Sequence, residues 1–233
     1  MKKYYVFDVD GTITPPRKPL EKKLENTFKT FCKNNNVVLV SGSSLSMIKE
    51  QIPESIQEHI TMYGCNGVEG ISFNTDHEIN DEELIKRLNV HLQLSTFDLK
   101  LGNHIEQRNG MINFSVIGRN ASGEQRKLYS DYDKEYNERS FIVNDLQKKF
   151  PKYEFKIGGE ISIDITKLGI DKSLVIKDII LKESQIPEFC FFGDKPNGND
   201  YGICKYIEEN NLGTWKLLTH NDFFKMFFPV IPC

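Results

Sequence analysis

The sequence predicts an α/β fold: a core built on a parallel sheet, interrupted by an inserted α+β unit. Three observations carry this. Apolar runs of strand length alternate with helix-like stretches over the first third of the chain, and the pattern returns near the C-terminus. Between them, strand-like runs and a charged helix follow one another without that alternation. The insertion is placed at residues 80–168, leaving 1–79 and 169–233 for the core.

The first strand spans Lys3 to Val9, where Tyr4, Tyr5, Val6 and Phe7 stand in sequence. It stops in Asp10-Gly11-Thr12. A polar helix follows over Leu20 to Lys33, then the apolar run Val37–Val40, which ends in Ser41-Gly42-Ser43-Ser44. A second helix over Ser46 to Gln51 leads to a third apolar run, Ile60 to Tyr63. Continuous apolar runs, rather than alternating ones, suit a sheet covered on both faces. Late in the chain, Glu188–Phe192 and Thr214–Leu218 read as two more strands. In the middle, Met111–Ile117, Tyr153–Ile157 and Ile161–Ile165 read as half-exposed strands, with a charged helix over Asp133–Phe150. Phe223–Phe228 reads as a final helix packing on the core, with an exposed partner-binding face as the alternative.

Bulk properties narrow the function. Net charge is −3 and the basic residues are scattered, so neither a nucleic-acid nor a membrane partner is expected. No apolar span reaches 18 residues, and the N-terminal apolar run is too short and soon acidic for a signal peptide. Cysteines 32, 65, 190, 204 and 233 contain no CxxC pair, which predicts reduced, mostly buried thiols in a cytosolic protein.

Asp8-Val9-Asp10-Gly11-Thr12 ends the first strand, and ligands of open α/β sheets bind at the carboxyl ends of strands. Two aspartates one residue apart can converge there. One can coordinate Mg²⁺ and attack phosphorus; the other can protonate the leaving oxygen and later deprotonate the acceptor. A plain turn is the competing reading, since Asp and Gly are common turn residues. Phosphoryl transfer also needs donors and positive charge around the phosphate oxygens. Ser41 and Ser43 follow the second strand, although the same residues fit a helix N-cap. Lys172 can neutralise phosphate. In the Gly193–Asp200 loop, Asp194 is placed as a second carboxylate on the metal, and Asn199 and Asp200 as groups that ligate or orient ligands.

Only six of the 30 basic residues are arginine, and Arg108, Arg119 and Arg126 fall within nineteen residues of the insertion. Where a chain otherwise uses lysine, such arginines suggest sites that need a planar fork for phosphate; three surface arginines is the alternative.

The order Asp8-Val9-Asp10-Gly11-Thr12, serine-bearing strand end, lysine, Gly193-Asp194 to Gly198-Asn199-Asp200 resembles the haloacid dehalogenase (HAD) superfamily of aspartyl-phosphate phosphotransferases. More narrowly, Thr14–Arg17, Arg108–Asn113, Ile117-Gly118-Arg119, Arg126, Gly158–Asp164 and Phe191–Lys195 resemble eukaryotic-type phosphomannomutase, in that family's order over nearly the whole chain. The resemblance implies a HAD-like Rossmannoid core with a closing cap. It implies Asp8 as nucleophile, Asp10 as acid/base and Lys172 as a further catalytic residue. Mg²⁺ would sit on the Asp8 carboxylate, the Asp10 main-chain carbonyl and Asp194, with Asn199 and Asp200 around it. Arg17, Ser41, Ser43, Arg108, Arg119, Arg126, Ser162 and Asp164 would bind the phosphosugar. Also implied are interconversion of mannose 6-phosphate and mannose 1-phosphate, glucose 1,6-bisphosphate or mannose 1,6-bisphosphate as activator, supply of GDP-mannose synthesis, a cytoplasmic location and a homodimer formed through the cap. A HAD-family Mg²⁺-dependent phosphatase acting on a sugar phosphate or nucleotide is the alternative. The chain departs from the family pattern in a shortened loop after Asp194, in Ser41-Gly42-Ser43-Ser44 for Gly-Gly-Ser-Asp, in Ile170 for Trp, and in Gly202 for a Glu. The last of these argues against the family's second, structural cation site.

Overall fold

The computed structural model describes residues 1–227. Two compact units emerge: residues 1–75 together with the chain from Asp171 onward, and residues Asp76–Ile170.

The first unit opens with β1 (Lys3–Asp8), α1 (Lys22–Asn34), β2 (Asn36–Val40), α2 (Leu45–Gln51), α3 (Glu54–Gln57) and β3 (Ile60–Tyr63). The second unit is α4 (Glu82–Leu94), β4 (Ile105–Arg108), β5 (Met111–Phe114), α5 (Gly123–Tyr136), α6 (Glu138–Lys149), β6 (Tyr153–Gly158) and β7 (Ser162–Lys167). The chain then returns with α7 (Ser173–Lys182), β8 (Glu188–Gly193), α8 (Tyr201–Glu209), β9 (Gly213–Leu217) and α9 (His220–Phe227).

The core sheet has the order β3-β2-β1-β8-β9, and every neighbouring pair is parallel. Both of its faces are covered, which explains the unbroken apolar strands. Phe7, Leu39, Cys190 and Phe192 face one cluster with Leu24, Phe28 and Cys32 of α1. Val6, Val38, Val40, Phe189 and Phe191 face the other with Val175, Ile176, Ile203 and Ile207. Leu24, Phe28 and Cys32 recur every four residues, so α1 lays one stripe on the sheet. Burying each such large side chain contributes about 1.5–3 kcal/mol. Phe223 of α9 is buried in the first cluster; Phe228 lies outside the described residues. Cys32, Cys190 and Cys204 are free thiols and, like Cys65, are buried; Cys233 also lies outside the described residues.

The inserted unit is an antiparallel sheet, β4-β5-β7-β6. Ile112, Phe114, Phe155, Ile163 and Ile165 pack with Leu84, Leu88, Tyr129, Ile142 and Leu146 of its helices. The alternate residues, Glu106, Asn113, Asp164 and Lys156, lie in register across the four strands and form a polar row.

Several elements differ from the sequence reading. The charged helix over 133–150 is two helices, α5 and α6, broken at Asn137, which takes a left-handed φ of 53°. Helix α5 starts ten residues earlier, at a capping box made by Ser122 and Gln125. The strand placed over 111–117 ends at Phe114, and β4 precedes it. The insertion runs from 76 to 170 rather than 80 to 168.

Candidate active site

Strand β1 lies between β2 and β8, so the chain leaves it in opposite directions and a crevice opens at its carboxyl end. Asp8 is the last residue of β1, Ser41 follows β2, and Asp194 follows β8. Sheet order thus gathers residues 150 or more positions apart.

Lys172, fully buried just before α7, donates to Asp8 Oδ1 at 2.5 Å and to Asp200 Oδ1 at 2.6 Å. Thr12 Oγ1 donates to Asp8 Oδ2 at 2.9 Å. The second oxygen of Asp200 accepts from the Lys195 amide at 2.9 Å, so Asp200 is committed to holding the lysine and the 194–200 loop. Burial pushes the Asp8 carboxyl up to about 7, Asp200 and Asp194 add to that, and Lys172 opposes it. Lys172 itself is held well above the ordinary lysine range: the two carboxylates outweigh the cost of its burial.

Asp10 is set apart by its partners. Its Oδ1 accepts from the Arg17 amide at 2.7 Å and from Gln51 Nε2 at 2.8 Å; its Oδ2 accepts from Ser43 Oγ at 3.0 Å and from Ser41 Oγ at 3.4 Å. Ser41 Oγ also accepts from the Ser43 amide at 3.0 Å. Two aspartates one residue apart therefore sit in different environments, one against an ammonium, the other among neutral donors. Arg17 holds its amide in place with a left-handed φ of 59°.

Asp8, Asp194 and Asp200 offer carboxylate oxygens that lie within 4.8 Å of one another. Burial raises the Asp194 carboxyl above its ordinary range, and its Oδ1 is buried with no hydrogen-bond partner. A β-carbon on Gly11, which has a φ of 95°, would stand 2.5 Å from Asp194 Oδ2, so only glycine lets the first loop pass this close. Crowded carboxylates with an orphaned buried oxygen fit a hard divalent cation, which favours oxygen donors. Asn199 Oδ1 is likewise buried without a partner. At Gly202 the Asp171 carboxylate fills the place a β-carbon would take, so the glutamate of the family pattern has no room in this arrangement.

In the inserted unit, Arg108 Nη2 donates to Glu106 Oε2 at 2.6 Å, and Arg119 Nε lies 3.3 Å from the same oxygen. Arg119 Nη1 donates to Ser162 Oγ at 2.9 Å. Asp164 Oδ1 accepts from Asn113 Nδ2 at 2.5 Å. Arg126 differs from the other two, because its Nε and Nη2 donate to the carbonyls of Ala121 and Arg119 and brace their loop. Arg139, paired with Asp133, does the same for the turn before β7, reaching the carbonyls of Gly159 and Ser162.

Sequence reasoning missed Gln51, Glu106, Asn113 and Arg139. Glu106 would share a face with Arg108 on a strand, but Ile105–Arg108 does not read as one from its residues, so that signal was not usable. Gln51 carried none, because its reach to Asp10 is a tertiary fact.

Parallel core, insertion and clustered carboxylates define a HAD-like fold, and solved structures agree. A haloacid dehalogenase-like hydrolase from Bacteroides thetaiotaomicron superposes with a TM-score of 0.61 at 13% identity, covering 99% of this chain and 100% of that one. Plasmodium falciparum IMP-nucleotidase gives 0.59 at 14% identity, covering 98% and 67%. The model of the eukaryotic phosphomannomutase family matches residues 24–226. A Saccharomyces cerevisiae phosphomannomutase is 37% identical over 223 residues, 89% of this chain and 86% of its own length. Phosphomannomutase 2 of Dictyostelium discoideum is 34% identical over 239 residues, 94% and 95%. The chain belongs to the eukaryotic phosphomannomutase family and is an enzyme of that class.

Proposed function

We propose that the enzyme interconverts mannose 6-phosphate and mannose 1-phosphate through a phosphorylated Asp8 and a hexose 1,6-bisphosphate, and so feeds GDP-mannose synthesis. The observation that supports this most is the pairing of a buried carboxylate held by a lysine with a separate arginine pair in the inserted unit. A mutase needs both: one centre that transfers phosphate and one that grips the phosphate not being transferred.

In the forward step an Asp8 carboxylate oxygen attacks phosphorus of the bisphosphate, and the bond from phosphorus to the sugar oxygen breaks. Asp10 gives the departing oxygen its proton. In the return step the opposite hexose monophosphate presents its free hydroxyl; Asp10 removes that proton as the oxygen attacks phosphorus, and the bond from phosphorus to Asp8 breaks, which regenerates the bisphosphate and frees Asp8. Lys172 balances the charge on Asp8 before attack and on the phosphoryl oxygens after it. Ser41, Ser43 and Gln51 hold Asp10 ready, and Thr12 orients Asp8. Asp8 and Asp194 would hold Mg²⁺ with the Asp10 carbonyl, while Asp200 and Asn199 support them; the ion would neutralise the transferring phosphate. Arg108, Arg119, Ser162 and Asp164 bind substrate from the inserted unit, with Arg17 contributing from the core and Arg126 acting as brace.

Glucose 1,6-bisphosphate or mannose 1,6-bisphosphate would prime Asp8. The family also supports a cytoplasmic homodimer formed through the inserted unit, whose helices expose Leu94, Leu128, Tyr136 and Phe141. Among the described residues no helix is long and apolar enough to cross a membrane.

The test supplies mannose 1-phosphate, Mg²⁺ and a trace of glucose 1,6-bisphosphate, and follows mannose 6-phosphate and inorganic phosphate together. Mannose 6-phosphate should form much faster than phosphate, only with the bisphosphate, and not in Asp8→Asn. Dominant release of phosphate would make the enzyme a phosphatase instead.

A further inference from the structure

The two arginines that face the polar side of the inserted sheet already have an anion. One oxygen of Glu106 takes Arg108 Nη2 at 2.6 Å and stands 3.3 Å from Arg119 Nε. It occupies the place where two guanidinium forks converge, which is where a phosphate oxygen would have to go. The three side chains are not equally fixed. Arg108 belongs to the β4–β5 ladder opposite Met111. Arg119 is anchored by its amide to the Asn103 carbonyl at 3.1 Å, by its own carbonyl to Arg126, and by Nη1 to Ser162. Arg108 and Arg119 are 15% and 10% exposed, whereas Glu106 is 33% exposed. Among the three, the carboxylate has the most room to leave.

We propose that Glu106 is an internal occupant of the anion site formed by Arg108, Arg119 and Ser162, which a phosphate dianion must displace. The inference rests on the reading that these arginines hold the substrate's phosphate. Charge gives the reason. Two guanidinium groups with one carboxylate carry a net charge of +1. Without the carboxylate they would repel each other in the ligand-free enzyme. A phosphate dianion placed on the same forks meets Glu106 as a like charge at contact distance, and the carboxylate swings outward into solvent. A monoanion gains too little from the arginines to expel it, so the pair selects doubly charged phosphate. The occupied state also lowers apparent affinity in proportion to its population. A loose grip suits an intermediate that must be released and gripped again at its other phosphate.

A carboxylate that merely orients the arginines, and stays in place when phosphate binds, predicts the opposite outcome for its removal. The test is calorimetric titration of the full-length enzyme with inorganic phosphate in EDTA, for the wild type, Glu106→Gln and Arg119→Ala, with thermal melts alongside. Glu106→Gln should bind phosphate about tenfold tighter, a change of roughly 1.4 kcal/mol. Its melting temperature without phosphate should fall, and its rise on adding phosphate should exceed that of the wild type. Phosphate binding that is unchanged or weaker in Glu106→Gln overturns the proposal and makes Glu106 an orienting group. Phosphate binding that survives Arg119→Ala undiminished overturns the arginine site itself, and this inference with it. Should Glu106→Gln not fold, Glu106→Asp, which keeps the charge and shortens its reach, is expected to tighten phosphate binding in the same assay.

Discussion

The two units solve inverse electrostatic problems. In the core, one cation, Lys172, is held by two carboxylates, Asp8 and Asp200, and all three are buried. On the inserted sheet, one carboxylate, Glu106, is held by two cations, Arg108 and Arg119, at a partly wet surface. The difference in burial decides what each can do. A charge in the dry core is costly unless paired, so the core cluster is fixed and tuned for chemistry. Near water the same pairing is worth little, so the arginine site can exchange its partner for a ligand.

That contrast predicts unequal costs when the central residue or a partner is removed. Lys172→Met leaves two buried carboxylates facing each other without a cation. In metal-free enzyme at pH 8 this should cost about 3–5 kcal/mol in denaturant unfolding. The loss should shrink toward pH 5.5. Burial already raises the Asp8 carboxyl to about 7, and losing the lysine raises it further, so Asp8 takes a proton there rather than bearing an unpaired charge. Arg119→Met, by contrast, leaves Glu106 in contact with water and Arg108, and should cost about 1 kcal/mol or less. Equal losses in the two variants would erase the distinction drawn here.

How far the sequence reveals each region follows the same division. The core was legible because its chemistry sits at strand ends. Asp8, Ser41 and Asp194 each follow an apolar run, and the parallel sheet brings such ends together. Arg108, Arg119 and Arg126 stood out by residue type, but their division of labour did not. Nothing in the spacing says that Arg126 spends its donors on two carbonyls while Arg119 faces Glu106 and Ser162. Strand β4 was invisible for a related reason: Ile-Glu-Gln-Arg has too few apolar residues to read as a strand, because its outward face is the polar site face. The division of the charged stretch into two helices turns on one residue. Asn137 is a polar residue in a polar stretch, and its left-handed backbone leaves no periodic mark.

A second difference concerns the kind of oxygen left unsatisfied: on the inserted sheet it is the neutral amide oxygen of Asn113, in the core a carboxylate. Asp194 Oδ1 is a buried oxygen with no partner, next to the crowded carboxylates of the core. A divalent cation should therefore stabilise the core cluster and have no comparable effect through the arginine site. With Mg²⁺ at about 100 times its dissociation constant, the stabilisation should be about 2.7 kcal/mol. It should largely disappear in Asp194→Asn and persist in Arg119→Met, as read from melting curves with and without the metal. A loss of the Mg²⁺ effect in both variants would show that the two sites are not independent.

The smallest effect comes from an ion pair of the inserted unit that serves no site. Asp145 on α6 accepts from Arg87 Nε at 2.7 Å and lies 2.8 Å from His91 Nε2, both on α4. The hydrogen bond from Arg87 does most to hold its carboxyl well below the ordinary range; burial opposes it, and His91 adds to the lowering. A carboxyl depressed on folding adds stability above its unfolded value, near 3.9, and loses it as pH falls from there toward its folded value. Asp145→Asn should therefore lower the unfolding free energy at pH 7 by about 1 kcal/mol or less once solvent screening is allowed for. The gap between variant and wild type should hold constant down to about pH 4.5 and close below it. It should also narrow in molar salt, as expected of a pair that water reaches. Lys172→Met should show little salt dependence, because its partners are sealed from solvent. If the Asp145 gap resists salt and the Lys172 gap does not, burial is not what separates the two kinds of charge pair.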